Sequence, residues 1–264
     1  MKGNCRPLPL LTRGEFVGIS IGGPFLSLFQ NNPNEIGNPI ELPEEDPRLT
    51  ARPHKPFRPF TYGESWLGAE LERGALMYVP QTHSNEKPSP LAIFFHGGGG
   101  SAAYWSRVYA ECEKRGLILL APESRSRTWD AIEGEFGADV KFLDSVLRYT
   151  FDRCSIDEKR IGSFGFSDGA TYSLSLGPSN GDLFTHLVAF CPGGSQLVEP
   201  VVGLPKIFVA HGREDRVLPV SISSNVIVPT FQIDGYDISY YEFEGGHELR
   251  QDILEKSLDW FMQS

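Results

Sequence analysis

Short apolar or β-branched runs recur along the last three quarters of the chain: Ala75–Val79, Leu91–Phe95, Leu117–Ala121, Ile161–Phe166, Leu187–Phe190, Ile207–Ala210 and Ile238–Phe243. Runs of this length, bounded by polar and turn-forming residues, predict strands. Most are separated by stretches with apolar positions at three- and four-residue spacing. Ser101–Arg115, Ala138–Thr150, Asp168–Leu176 and Leu249–Met262 are therefore predicted helices. Strands alternating with helices predict an α/β fold, a mostly parallel twisted sheet covered by helices on both faces. Ligands of such sheets bind beyond the carboxyl ends of the strands, so the residues just after each strand are where chemistry is sought.

The N-terminal quarter lacks this rhythm. Lys2, Arg6 and Arg13 precede a moderately apolar stretch, Phe16–Phe29, broken by Gly22, Gly23 and Pro24. Thr12–Val17 resembles a twin-arginine export signal without its second arginine, and no Ala-x-Ala cleavage pattern follows before Gln30. A cytoplasmic location is expected, with export through a degenerate leader as the alternative. The stretch is too short and too interrupted to span a bilayer, so no stable membrane insertion is expected. Residues 31 to 60 are rich in Pro, Asn and acidic side chains and read as an arm. The predicted organisation is thus an N-terminal extension, 1–60, and a catalytic domain, 61–264.

Composition narrows the functional classes. With a formal net charge of −10 over 264 residues, the surface repels nucleic-acid phosphates, and Arg52, Lys55 and Arg58 form only a short basic stretch in a Pro-rich segment. Nucleic acid is not an expected partner. Cys5, Cys112, Cys154 and Cys191 show no paired C-x-x-C spacing, so no metal is implied; Cys112 and Cys191 read as buried thiols, and a disulfide stays open.

The residues that carry chemistry lie after the predicted strands. Gly165-Phe-Ser167-Asp-Gly169 follows an apolar strand and opens a helical segment, the context in which G-x-S-x-G becomes a nucleophile elbow. Glycines flank the serine because a side chain at either position would strike the neighbouring strand or helix. A serine hydroxyl needs a base to take its proton and a third group to orient that base. The loop His211–Pro219 offers Asp215, with Glu214 as its adjacent competitor. His247, in Glu244-Gly-Gly-His247, is the only histidine beyond Asp215, so Ser167, Asp215 and His247 stand in the order such a triad follows along the chain. For the oxyanion, the candidate donors are the amide of Asp168 and that of Gly98 in His96-Gly-Gly-Gly-Gly100. His54, His83 and His186 read as exposed or hydrogen-bonded, and His211 as structural.

Phe95-His96-Gly97-Gly98, Gly165–Gly169, His211-Gly212 with Asp215, and Gly246-His247 together resemble the blocks of the phospholipase/carboxylesterase group of α/β-hydrolases. Kinship extends to dienelactone hydrolases and to polyhydroxybutyrate depolymerase or feruloyl esterase-like enzymes. The resemblance covers Ala75–Phe261. It favours Asp215 over Glu214 through the His-Gly-x-x-Asp-x-x-x-Pro pattern. Two departures stand out: Asp168 replaces the Gln common after the serine in carboxylesterases, and Ser167 stands where dienelactone hydrolase has Cys. The resemblance implies a serine carboxylesterase acting on a small-molecule ester with no cofactor. The short connection from Cys191 to Lys206 predicts no large lid, and hence an open cleft for short-chain or aryl esters. Tyr104, Trp105 and Trp129 could line that cleft, with core packing as the expected use of Trp105. The alternatives are a serine peptidase or acyl-peptide hydrolase on the same fold, and a non-catalytic binding protein.

Overall fold

The structure, a computed structural model, describes residues 46–68 and 73–263. Residues 1–45, with Cys5 and the leader-like stretch, lie outside the described residues. Eight strands form one sheet: β1 (Gly63–Leu67), β2 (Ala75–Val79), β3 (Ser89–Phe95), β4 (Ile118–Pro122), β5 (Ile156–Phe166), β6 (His186–Phe190), β7 (Lys206–Gly212) and β8 (Ile238–Phe243). Their order across the sheet is β1-β2-β4-β3-β5-β6-β7-β8. β2 runs antiparallel to both its neighbours, and the pairs from β4 to β8 are parallel. The helices are α1 (Tyr109–Arg115), α2 (Asp130–Glu133), α3 (Ala138–Arg153), α4 (Asp168–Leu176), α5 (Val228–Ile233) and α6 (Gln251–Gln263).

β3 shows why the central strands read as unbroken apolar runs. Leu91, Ile93 and Phe95 join one core with Val140, Leu143 and Val146 of α3 and Tyr172 of α4. Ala92 and Phe94 join the other, with Trp105, Leu254, Leu258 and Phe261. Successive side chains point to opposite faces of a strand, so a strand covered on both faces has no polar side to spare.

The differences from the sequence reading have physical reasons. Among the described residues β1 is an edge strand paired only with β2, and its partly exposed Gly-Glu-Ser-Trp-Leu sequence carries no apolar run. β5 begins at Ile156 rather than Ile161, because Asp157–Arg160 extend the strand beyond the covered part of the sheet, where charged side chains reach water. The segment expected as one helix, Ser101–Arg115, starts as a 3-10 turn over Ala102–Val108 before α1. The short helices α2 and α5 have no sustained periodicity and were absent from the sequence reading. No helix occurs in residues 191–205, between β6 and β7. Among the described residues no helix is long and apolar enough to cross a membrane.

Residues 46–60 bind along the body. The amides of Thr50 and Ala51 donate to Asp144 at 2.6 and 2.7 Å, and those of Phe57 and Arg58 to the Asp152 carbonyl. Arg48 meets Asp182 through paired bonds of 2.8 and 2.9 Å, joined by Arg52 at 2.5 Å. These guanidinium groups hold the Asp182 carboxyl well below the usual carboxylate range. Leu49 and Ala51 are buried in the core on the α3 side of the sheet.

His186, at the start of β6, is buried against the rings of Trp260 and Phe261. Burial, with the charges of Lys206 and Arg160 nearby, lowers its pKa from 6.5 to about 4. Because its native pKa lies below the unfolded value, the unfolded chain binds the proton more readily. The stability contributed by neutral His186 is whole above pH 6.5 and is lost as pH falls toward 4. Melting temperature measured across this window is expected to fall with acidification less steeply in His186→Gln than in the wild type; equal slopes would remove His186 as a cause.

Candidate active site

β5 ends at Phe166, α4 begins at Asp168, and Ser167 between them adopts φ 56° and ψ −121°. A positive φ at a non-glycine residue costs about 1–3 kcal/mol and persists only where its surroundings enforce it. Here the Ser167 amide donates to the Phe190 carbonyl at 2.9 Å, and its carbonyl accepts the amides of Ala170 and Thr171. Turn, strand and helix thus hold the residue from both sides. The glycines of the motif are needed for space. A Cβ on Gly165 would lie 2.0 Å from the Gly169 carbonyl oxygen, and one on Gly169 would lie 2.2 Å from that of Phe95.

Two later loops bring polar groups to the serine. The His247 Nε2 lies 2.9 Å from Ser167 Oγ, and its Nδ1 lies 2.7 Å from Asp215 Oδ2. A carboxylate only accepts, so Nδ1 carries the proton and Nε2 is left to accept from the serine hydroxyl. The ring lies 5.0 Å from that of Phe166. Asp215, just beyond β7, is buried, and its Oδ1 accepts the amides of Val217 and Leu218 at 2.8 Å each. Burial is the largest single influence on this carboxyl and pushes its pKa up. The Leu218 amide, the His247 ring and the Val217 amide together outweigh burial and hold it below its ordinary value. Glu214, the adjacent carboxylate, is exposed.

His211 is buried behind Asp215. Its Nε2 donates to the Leu218 carbonyl at 2.8 Å and approaches Asp215 Oδ2 at 3.2 Å, while its Nδ1 accepts from the Ser223 hydroxyl at 2.8 Å. Cys191 lies close to both residues. Burial raises its thiol to about 11, which keeps it neutral and a poor nucleophile or metal ligand near pH 7. Cys112 and Cys154 are also buried free thiols. Of the other histidines, His83 is buried with bonds to Ser89 and Asn85, and His54 is exposed.

The glycine loop after β3 approaches the same serine. A Cβ on Gly97 would stand 3.3 Å from Ser167 Cβ, so the two backbones nearly touch. Gly99 donates to the Arg127 carbonyl and Gly100 to that of Gly97, whereas no protein acceptor takes the Gly98 amide among the described residues. Asp168 is the first residue of α4, where an amide has no carbonyl one turn back to receive it. Both amides are therefore open to a ligand oxygen. Trp105 and Trp129 are fully buried; Tyr104 remains 39% exposed, stacked on Phe166 at 6.4 Å. Sequence reasoning placed His211 as structural but missed its partner Ser223 and the bond made by Thr128. His211 and Ser223 sit behind the carboxylate, and Thr128 donates from its hydroxyl to Asp168 Oδ2 at 2.6 Å. Nothing local in the sequence marks either Ser223 or Thr128.

No family model matches the chain. It is similar to a probable feruloyl esterase C of Aspergillus oryzae, 27% identical over 164 residues that make up 56% of this chain and 57% of the relative. It is also similar to feruloyl esterase B of Thermothelomyces thermophilus, 28% identical over 140 residues, 47% of this chain and 48% of the relative. The chain thus spans about half the length of the relatives it matches. Among solved structures, esterase PE8 superposes with a TM-score of 0.58 at 17% identity, covering 72% of this chain and 98% of the other. An S-formylglutathione hydrolase from Staphylococcus aureus gives 0.62 at 11% identity, covering 76% and 99%. At these identities the structural likeness speaks for the fold, and together with the sheet order above it establishes that the chain has the α/β-hydrolase fold, similar in sequence to feruloyl esterases.

Proposed function

We propose that the protein is a serine carboxylesterase that hydrolyses short-chain or aryl esters through an acyl-Ser167 intermediate. The observation that carries this reading is the continuous hydrogen-bond chain from Ser167 through His247 to Asp215. Ser167 Oγ attacks the ester carbonyl carbon while His247 Nε2 takes its proton, and buried Asp215 steadies the imidazolium. The amides of Gly98 and Asp168 receive the oxyanion. The alcohol leaves with the proton from His247. Water, deprotonated by the same ring, then releases the acid and restores the serine. Two features favour a small or flat acyl group: the helix-free connection after β6, and the exposed Tyr104 ring stacked on Phe166. That relatives are feruloyl esterases fits the aryl side of this range.

A fluorophosphonate probe is expected to add to Ser167, read by peptide mass spectrometry, and the protein to hydrolyse aryl and short alkyl esters faster than amides of the same acyl group. Pure, folded protein that takes up no probe would overturn the reading in favour of a binding protein, and a preference for the amides would make it a peptidase.

A further inference from the structure

Hydrogen bonds from one short segment, Ser124–Trp129, reach both the residues flanking Gly98 and the side chain of Asp168, the two residues of the proposed oxyanion site. The Trp129 indole donates to the His96 carbonyl at 2.8 Å, and the Ser124 amide donates to His96 Nε2 at 3.1 Å. The Arg127 carbonyl accepts the Gly99 amide at 2.7 Å. These bonds hold the glycine loop. The Thr128 hydroxyl crosses instead to the nucleophile elbow, at Asp168 Oδ2.

Peptide geometry explains why the first set matters. In a trans peptide the carbonyl and the following N–H point in opposite directions. The Gly97 carbonyl accepts the Gly100 amide at 2.9 Å and His96 Nδ1 at 2.8 Å. Holding that carbonyl therefore also aims the Gly98 N–H the other way. The Ser124 amide needs an acceptor at His96 Nε2, which leaves the proton on Nδ1 for Gly97.

The Asp168 carboxylate closes the connection to the second donor. Its Oδ2 fills the place that a Gly98 side chain would take, since a Cβ there would lie 2.4 Å away. Gly98 and Asp168 thus meet directly, and Thr128 holds the carboxylate at the contact. Asp168 is half-buried, and the Thr128 hydroxyl is the side-chain donor the structure gives it. Without that bond its side chain is free to change rotamer and leave the loop unsupported.

We infer that Thr128 is a positioning residue, whose hydroxyl holds the Asp168 carboxylate against Gly98 and thereby fixes the spacing of the two oxyanion amides. This rests on the esterase reading above. Misplacing one donor weakens an interaction made chiefly in the transition state, so the loss falls on kcat rather than KM.

The test compares Thr128→Val, Thr128→Ser, Asp168→Ala and the Thr128→Val/Asp168→Ala pair on 4-nitrophenyl acetate, with melting temperature read for each. Thr128→Val is expected to lose about tenfold in kcat with KM within about twofold. Thr128→Ser, which keeps the hydroxyl, is expected to recover most of the loss. Affinity for a trifluoromethyl ketone, whose hemiketal oxygen uses the same amides, is expected to weaken in step with kcat/KM. The double variant is expected to lose no more than Asp168→Ala alone, because both changes break one connection. Unchanged kcat in Thr128→Val, an equal loss in Thr128→Ser, or additive losses in the pair would each overturn the inference. If Thr128→Val does not fold, Asp168→Ala with full kcat has the same force. Wild-type protein without ester turnover would instead remove the reaction itself, and this inference with it.

Discussion

Replacing Ser167 with alanine is expected to lower turnover of a chromogenic short-chain ester by about 10⁴- to 10⁶-fold, the range seen when single members of an interdependent triad are removed, with the nucleophile at its upper end. The variant loses the oxygen that would form the acyl bond, and His247 then has no hydroxyl to deprotonate. Folding is expected to survive. Alanine and serine both carry a Cβ, so the strained φ of 56° at this turn changes little, and the backbone bonds that hold the turn remain. His247 Nε2 loses its partner, but the side chain is 15% exposed and water can replace the hydroxyl. Steady-state kinetics with circular dichroism as the folding control check this. Turnover within tenfold of wild type in a folded variant would rule out Ser167 as the nucleophile.

The largest expected effect on stability is at Gly165. A methyl group there would meet the Gly169 carbonyl at 2.0 and 2.2 Å from its oxygen and carbon, and both are backbone atoms that cannot rotate away. Overpacking typically costs about 1–3 kcal/mol, and a clash against fixed backbone falls at or above the top of that range. For a chain of this size, about 3 kcal/mol lowers the melting temperature by roughly 6–12 °C. Gly194→Ala is the matched control, because a Cβ there meets nothing within 4 Å. Thermal melts of both variants decide the matter. A Gly165→Ala protein that melts with the wild type would mean that strand and helix can part at little cost, contrary to the tight elbow described above.

The parts of the molecule that were legible in the sequence share a physical cause. β3, β5 past Ile161, β6 and β7 are covered on both faces, so burial demanded apolar residues at consecutive positions and left a clear trace. Ser167 and Asp215 could be named because each follows such a strand, and His247 because it follows the half-buried β8 and comes after Asp215 in the chain. The structure brings those side chains into hydrogen-bond contact across 80 residues of chain between Ser167 and His247. β1 left no trace because Leu67 is its one fully buried residue, so packing demanded no apolar run there. The Thr128 bond was invisible for a different reason. A single hydroxyl meeting a carboxylate 40 residues away has no periodicity and no fixed spacing. Asp168, the residue that departs from the common carboxylesterase pattern, fills the space that Gly98 leaves by having no side chain.

The contacts of residues 46–60 also bear on the order in which the protein can take shape during synthesis. Arg48 finds Asp182 only after 134 further positions, and Thr50 finds Asp144 after 94. At about 5–20 residues per second, the first of these delays is roughly 7–27 s. Throughout that interval Leu49 and Ala51 are made or being made while the α4 end of the body is incomplete. The bonds to Asp144 and Asp152 therefore need only the chain through α3, whereas the ion pairs with Asp182 wait until the chain has been made past α4.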